Sequence, residues 1–329
     1  MLGPVRTRVP GSARIAPATT DAFSPGGRPD PISSLHEPTS RIVAELKQAR
    51  RKLETAISPG SALAPAIRAF RRTERRLDRP LRLAITGEFN SGKSSLANLL
   101  ARIESLPTAV ISNTRIPTLL YHSHEPEIWA VHENGKREWL RADRATLSWS
   151  IFRLEVGLPS QRLRAMQILD LPGLADPRFS APVVDIALHD VDAVVWCTMS
   201  TQAWKESERI AWDQLPARLS TRGLLVPTHG DLLHDDRDMK KLLGRLHSEA
   251  GSKFRNIRPI STVDALALMR EGQQGLDDAG WKATGADALE TALHDLLLNV
   301  RKQRTEAALR MTSRIADRAL SRLEQQPVW

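Results

Sequence analysis

The stretch AITGEFNSGKSSLANLL, residues 84–100, decides the fold. It reads as the end of an apolar strand, a glycine-bounded loop and the opening of a helix. Within it, Gly87, Glu88, Phe89, Asn90, Ser91, Gly92, Lys93 and Ser94 fit the spacing GxxxxGK[ST], with Ser95 next in line. Glycines let the backbone turn so that several N–H groups point into one concavity. The helix N-terminus adds its partial positive charge. Lys93 is placed to meet β- and γ-phosphates, and the Ser94 hydroxyl offers an oxygen to Mg²⁺. The spacing alone occurs in unrelated chains. Here LRLAITG before it and KSSLANLLARI after it supply the strand and helix that the motif requires.

A phosphate loop needs an acidic partner on a neighbouring strand. LRAMQILDLPGLADP supplies Asp170 for the Mg²⁺ shell and Gly173, whose N–H can meet a γ-phosphate. Between the two lies LPTAVISNTRIPTLLYH, where a hydroxyl is expected to close over the metal. Thr114 is the first choice for that hydroxyl, with Thr108 and Thr118 as alternatives. Arg115 beside it reads as a solvated loop residue. Further on, GLLVPTHGDLLHD places Thr228, His229 and Asp231 after a strand. A carboxylate there accepts from guanine N1–H and the exocyclic amine, a pair that adenine lacks, so Asp231 selects GTP over ATP. His229 stands where N/T-K-x-D motifs carry Lys, and an imidazole there offers a face to stack on guanine. One strand later, Ser261 and Thr262 fall where a loop backbone meets guanine O6.

The 329 residues carry a formal charge of +9, unevenly spread. Residues 41–82 hold 12 basic and 4 acidic side chains, whereas 83–300 hold 24 and 28. The high pI therefore belongs to the flanks and is no sign that the centre binds nucleic acid. A single cysteine, Cys197, excludes an internal disulfide and suits a reducing compartment. No apolar run approaches the roughly 18–20 residues that span a bilayer. The first residues lack the apolar middle of a secretory signal.

Residues 1–33, rich in Pro, Gly, Ser and Arg, read as a disordered basic tail. Residues 34–80 read as N-terminal neck helices. In the first, Ile42, Leu46, Ala49, Leu53 and Ala56 or Ile57 share a face, with Thr39 or Ser40 as its cap. After SPGSALAP, Leu63, Ile67, Phe70 and Leu77 line a second, which Pro80 ends. Over 81–285, apolar runs at 81–86, 117–122, 127–132, 164–169, 191–198, 222–228 and 256–261 alternate with helical segments. That predicts an α/β domain with a mostly parallel sheet flanked by helices. Asn134-Gly135 marks an antiparallel hairpin. TMSTQAWKESERIAW, with Trp204 and Trp212, reads as a helix on the domain. Residues 286–329 form a C-terminal neck helix, with Ala308, Met311, Ile315, Ala319 and Leu323 as its apolar stripe and Arg310, Arg314, Arg318 and Arg322 as a basic ridge.

GEFNSGKSS, TRIPT, DLPG and THGD occur in this order over about 145 residues. Together they resemble the dynamin superfamily of large GTPases, in particular the bacterial dynamin-like proteins. Phe89 inside the loop, the Asp-x-Pro-Gly form and helices on both sides of the domain favour it over Ras-like enzymes. The resemblance implies GTP/GDP binding with Mg²⁺, GTP hydrolysis, and stimulation when two GTPase domains form a homodimer through their nucleotide faces. Leu174 stands where Ras-type enzymes carry a water-positioning Gln. Under this resemblance Asn90 and Ser91 help to hold the phosphates or a monovalent cation. The flanks are short for a stalk, so membrane scission by this chain alone is not expected.

Two other functions compete: a non-hydrolysing GTP-dependent switch or scaffold, and a ribosome-associated assembly GTPase. The basic ridges admit a solvated outer face, an anionic membrane surface, RNA or the ribosome, or an acidic protein. No RNA-binding module is visible. A cytoplasmic protein, with the inner membrane face as a peripheral location, is the expectation.

Overall fold

The computed structural model describes residues 30–55, 64–106, 116–140, 151–173, 188–233, 235–271 and 278–324. Among the described residues nine strands form one sheet: β1 Leu81–Gly87, β2 Thr118–His122, β3 Glu127–His132, β4 Arg137–Leu140, β5 Ile151–Leu158, β6 Met166–Asp170, β7 Ala193–Met199, β8 Gly223–Thr228 and β9 Asn256–Ile257. Their order is β4-β3-β5-β2-β6-β1-β7-β8-β9. Strand β1 lies between β6 and β7 and is parallel to both. β7–β8, β8–β9 and β2–β5 are also parallel, while β2–β6, β3–β4 and β3–β5 run antiparallel. The expected α/β architecture with a mostly parallel sheet is therefore present. Parallel strands buried on both faces read as continuous apolar runs, which is why β1, β7 and β8 stand out in the sequence.

Strand β5 does not. Its Leu154 and Val156 point into one core, but Arg153 and Glu155 alternate with them and mimic a solvated stretch. β2 on one side and β3 on the other make it a strand. The run expected over 256–261 pairs only at Asn256 and Ile257.

The helices are α1 Glu37–Thr55, α2 Ala64–Asp78, α3 Lys93–Ala101, α4 Arg162–Ala165, α5 Glu206–Asp213, α6 Ala217–Ser220, α7 Asp236–Ala250, α8 Thr262–Glu271, α9 Asp278–Ala283 and α10 Ala286–Glu324. α1 begins before Thr39 and Ser40, continuing a 3₁₀ turn over Ser33–His36, so neither residue caps it. One sheet face, with Leu83, Ile85 and Leu154, packs under α3, α8 and the first half of α10, where Leu289, Leu293 and Leu296 are buried. The other face collects Trp196, Trp204, Trp212 and Phe254 with α5 and α7. Their rings meet edge-on at 5.1–6.2 Å, except Trp212 and Phe254, which are tilted at 4.1 Å. Such pairs add about 0.5–1.5 kcal/mol beyond their area. Trp204 and Trp212 thus belong to the core.

α1, α2 and the second half of α10 form a small bundle around Val43, Leu77 and Ala308. Phe70 is buried as expected. Met311 is a correction: it is half exposed, while Ala308 and Ile315 are buried. The inward face of α10 passes through Arg301, Arg304, Ala308, Thr312 and Ile315, so position 312 takes the inner place. Residues 30–33, placed in the tail by composition, pack on the domain: Ile32 is fully buried in the main core.

Asp30 explains why. Arg162, fully buried at the start of α4, binds Asp30 at 2.6 Å and Glu290 of α10 at 2.8 Å. Glu290 also meets Arg102, the C-cap of α3, at 2.8 Å. Burial brings the Arg102 guanidinium down to about 9, with Arg162 adding repulsion. For Arg162 burial also opposes the charge, but Glu290 and Asp30 outweigh it and raise its pKa. Removing one member of such a buried cluster leaves a charge uncompensated, at a cost of about 3–5 kcal/mol. Arg162→Leu is therefore expected to lose about that much in urea unfolding. A loss of less than about 1 kcal/mol, the range of a surface pair, would show that the cluster is dispensable.

Candidate nucleotide site

The site lies at the ends of β1, β6 and β8, where the strands release their loops. Gly87 leaves β1 with φ +145°, and a Cβ there would stand 2.0 Å from the Cys197 carbonyl oxygen of β7. Only glycine fits. Asn90 at φ +60° and Gly92 at φ +74° take left-handed turns and bend the loop back on itself. Lys93 Nζ donates to the Glu88 carbonyl at 2.5 Å, and Ser91 Oγ to the same oxygen at 2.8 Å. The lysine thus closes the loop from inside, and its burial lowers its pKa.

The Ser94 hydroxyl donates to Asp170 Oδ2 at 2.7 Å, bridging α3 and β6. Asp170 Oδ1 is buried with no hydrogen-bond partner among the described residues. Burial pushes this carboxyl up to about 6, against the pull of Ser94 and Lys93. A desolvated carboxylate oxygen beside a hydroxyl is a hard oxygen donor set, which fits Mg²⁺. Gly173 lies on the phosphate loop: a Cβ there would stand 3.0 Å from the Phe89 nitrogen. The two loops expected to face the phosphates are thus brought together. Thr118 is not a free hydroxyl for this site; it is buried in β2 opposite Asp170 and donates to the Ile116 carbonyl at 3.2 Å. Thr114, Thr108, Arg115 and Leu174 lie outside the described residues.

On the base side, Thr228 is fully buried and its hydroxyl lies 2.9 Å from the Ser91 carbonyl and 2.9 Å from His229 Nδ1. A hydroxyl donates once, so donation to Ser91 leaves its oxygen to accept from Nδ1–H. His229 has φ +56°, and its Cε1 lies 3.4 Å from where a Cβ on Gly92 would be. Its ring therefore braces the phosphate loop from beside Gly92. Asp231 is exposed, and its Oδ1 accepts from Ser261 Oγ at 3.3 Å. The Gly230 N–H donates to the Ile260 carbonyl at 3.1 Å, tying the two base-side loops, with Thr262 opening α8.

One feature has no sequence signal. The Glu88 carboxylate reaches across to the start of α5, accepting from Lys205 Nζ at 3.1 Å and from the Ser207 hydroxyl. Burial opposes its charge, but these two donors outweigh that and hold it below the usual carboxylate range. The partners are more than a hundred residues away, and nothing in either segment announces the other.

Residues 83–228 match the model of the dynamin family. Over that stretch the chain is similar to the dynamin family. Similar proteins agree. Dynamin-like protein 2 of Campylobacter jejuni is 29% identical over 155 residues, 45% of this chain and 25% of that one. The isoniazid-induced protein IniC of Mycobacterium tuberculosis is 36% identical over 107 residues, 30% of this chain and 22% of that one. The chain thus spans about a quarter of the length of these relatives. Among solved structures, a chain of an oligomerised bacterial dynamin pair, described as a mechanism for long-range sensing and tethering of membranes, superposes with a TM-score of 0.61. It does so over 91% of this chain and 57% of that one, at 18% identity, a likeness of fold.

Gly87→Ala tests the loop. The added methyl meets a backbone carbonyl, so guanine-nucleotide affinity should fall at least about tenfold, roughly 1.4 kcal/mol. Titration with a fluorescent GDP analogue reads this, with circular dichroism to confirm folding. Unchanged affinity would remove the phosphate-loop assignment.

Proposed function

We propose that this chain binds GTP with Mg²⁺ and hydrolyses it, and that turnover rises when two GTPase domains meet across their nucleotide faces. The observation that carries the reading is the Ser94–Asp170 pair, whose second carboxylate oxygen has no partner among the described residues. Ser94 and Asp170 would hold the metal, with Thr114 as the third oxygen; the metal supplies neutralisation of phosphate charge when bound. Lys93, Gly87 to Ser95 and Gly173 would cradle the phosphates, and Asn90 and Ser91 would serve a monovalent cation. Asp231 reads guanine, with Thr228 and His229 behind it and Ser261 and Thr262 beside it.

Three large apolar side chains are exposed on this same edge: Phe89 at 69%, Leu232 at 51% and Val263 at 59%. They lie in the phosphate loop, next to Asp231 and in the first turn of α8. A patch of this kind supports a partner at the nucleotide face, and a second copy satisfies the need for a water-positioning group. The bacterial dynamin pair described as sensing and tethering membranes supports a peripheral membrane location over an RNA partner, for which no module is visible among the described residues. Leu174 in place of Gln keeps one other reading in play: a GTP-dependent switch that does not hydrolyse.

Three measurements test these readings. Single-turnover hydrolysis with Lys93→Ala as the blank separates enzyme from switch. In steady state, specific activity should rise with protein concentration, and a flat profile would remove the dimer. Asp231→Asn should weaken GTP at least about tenfold, roughly 1.4 kcal/mol, and shift preference to xanthosine triphosphate, which offers the complementary acceptor. An unchanged preference would mean that another group reads the base.

A further inference from the structure

Glu88 is the second residue of the phosphate loop, and its carboxylate leaves the loop for the start of α5. The groups that receive it there stand on a buried platform. Trp204 takes φ +61°, and its N–H donates to Thr198 Oγ1 at 3.0 Å. The buried Glu208 carboxylate accepts from the Lys205 N–H at 3.0 Å, from the Thr198 hydroxyl at 2.9 Å and from Trp196 Nε1 at 3.1 Å. The backbone at Lys205 is thus fixed to β7 and to the aromatic core. From it Lys205 Nζ donates to Glu88 Oε2 at 3.1 Å, and the Ser207 hydroxyl donates to Oε1. Each oxygen of the Glu88 carboxylate has its own donor.

An ion pair this open to solvent contributes little to stability. Its place beside the phosphate loop gives it another use. Lys205 in contact and Lys93 through space both act on the Glu88 charge. Lys93 Nζ lies 2.5 Å from the Glu88 carbonyl oxygen, so a side chain on that same residue is within reach of it. Glu88 also adjoins the loop expected to meet a γ-phosphate: a Cβ on Gly173 would stand 3.4 Å from the Glu88 carbonyl carbon. A carboxylate released here would compete with phosphate oxygens for the Lys93 ammonium and repel the terminal phosphate.

We propose that Lys205 is a positioning residue of the nucleotide site: it anchors the Glu88 carboxylate on α5, leaves Lys93 to the phosphates and so sets the preference for a triphosphate over a diphosphate. This role rests on the guanine-nucleotide reading of the site. Lys205 acts through Glu88 and touches no phosphate itself. A diphosphate presents one phosphate fewer and less charge to a released Glu88, so it loses less when the anchor is removed.

The test titrates the full chain with fluorescent GDP and with a fluorescent, non-hydrolysable GTP analogue. Lys205→Ala should weaken the GTP analogue about tenfold and GDP about threefold or less. Its thermal midpoint should stay within about 2 °C of the parent, as for other exposed pairs. Lys205→Arg keeps the cation and should hold the parent's ratio of the two affinities within about twofold. Glu88→Gln removes the charge to be anchored, so adding Lys205→Ala to it should change neither affinity by more than about twofold. A parent chain that binds neither nucleotide removes the site reading and this role together. A parent that binds both, with the ratio unchanged in Lys205→Ala or lowered equally in the Glu88→Gln background, overturns the role alone.

Discussion

The site depends on the close approach of Gly87 to the carbonyl of Cys197. A strand that must deliver its last residue against the backbone of its neighbour has one register and one exit direction. From that exit the chain turns through two left-handed residues, and the first turn of α3 is aimed at the end of β6. Ser94 then meets Asp170 because β1 and β6 are parallel neighbours with β1 held from the other side by β7. The same constraint puts the loop over Thr228, whose hydroxyl fastens it from below. The segments proposed for phosphate, metal and base are thus joined by backbone geometry and a side-chain hydroxyl.

The chemistry was legible where it is contiguous. A phosphate cradle is made from consecutive N–H groups, so its residues stand together in the chain, and the carboxylates at 170 and 231 follow apolar strands that mark themselves. What escaped the reading is made from distant segments. Glu88 finds Lys205 and Ser207 only once β1 and β7 are adjacent. Strand β5 is charged on one row because that row lies on the less covered side of the sheet, and its neighbours in space are not its neighbours in sequence. On α10 the regular apolar stripe fails at Met311, since a 39-residue helix changes partners along its length and presents arginines inward near the junction. Composition placed Ile32 in a tail because a single apolar residue among Pro, Gly and Ser does not announce its burial.

The ion cluster at the far end of α3 has a different character. Hydrophobic contacts hold the sheet and its helices together without regard to chain order. The cluster instead joins four particular points: the end of the phosphate-loop helix, the approach to β6, the chain entering α1 and the second turn of α10. Two of these lead to the elements that carry Ser94 and Asp170, and two lead to the helical bundle.

This arrangement sets where the chain can be cut. The segment that carries the nucleotide-site motifs does not contain the whole cluster. A fragment starting at β1 and ending before α10 would retain every phosphate- and base-side residue, yet would bury Arg162 with neither of its carboxylates. The smallest piece that keeps the cluster neutral starts before Asp30 and runs past Glu290. The bundle helices are then unavoidable passengers of the α/β domain at its N-terminal side, because the strand β1 can be reached from Asp30 only through them.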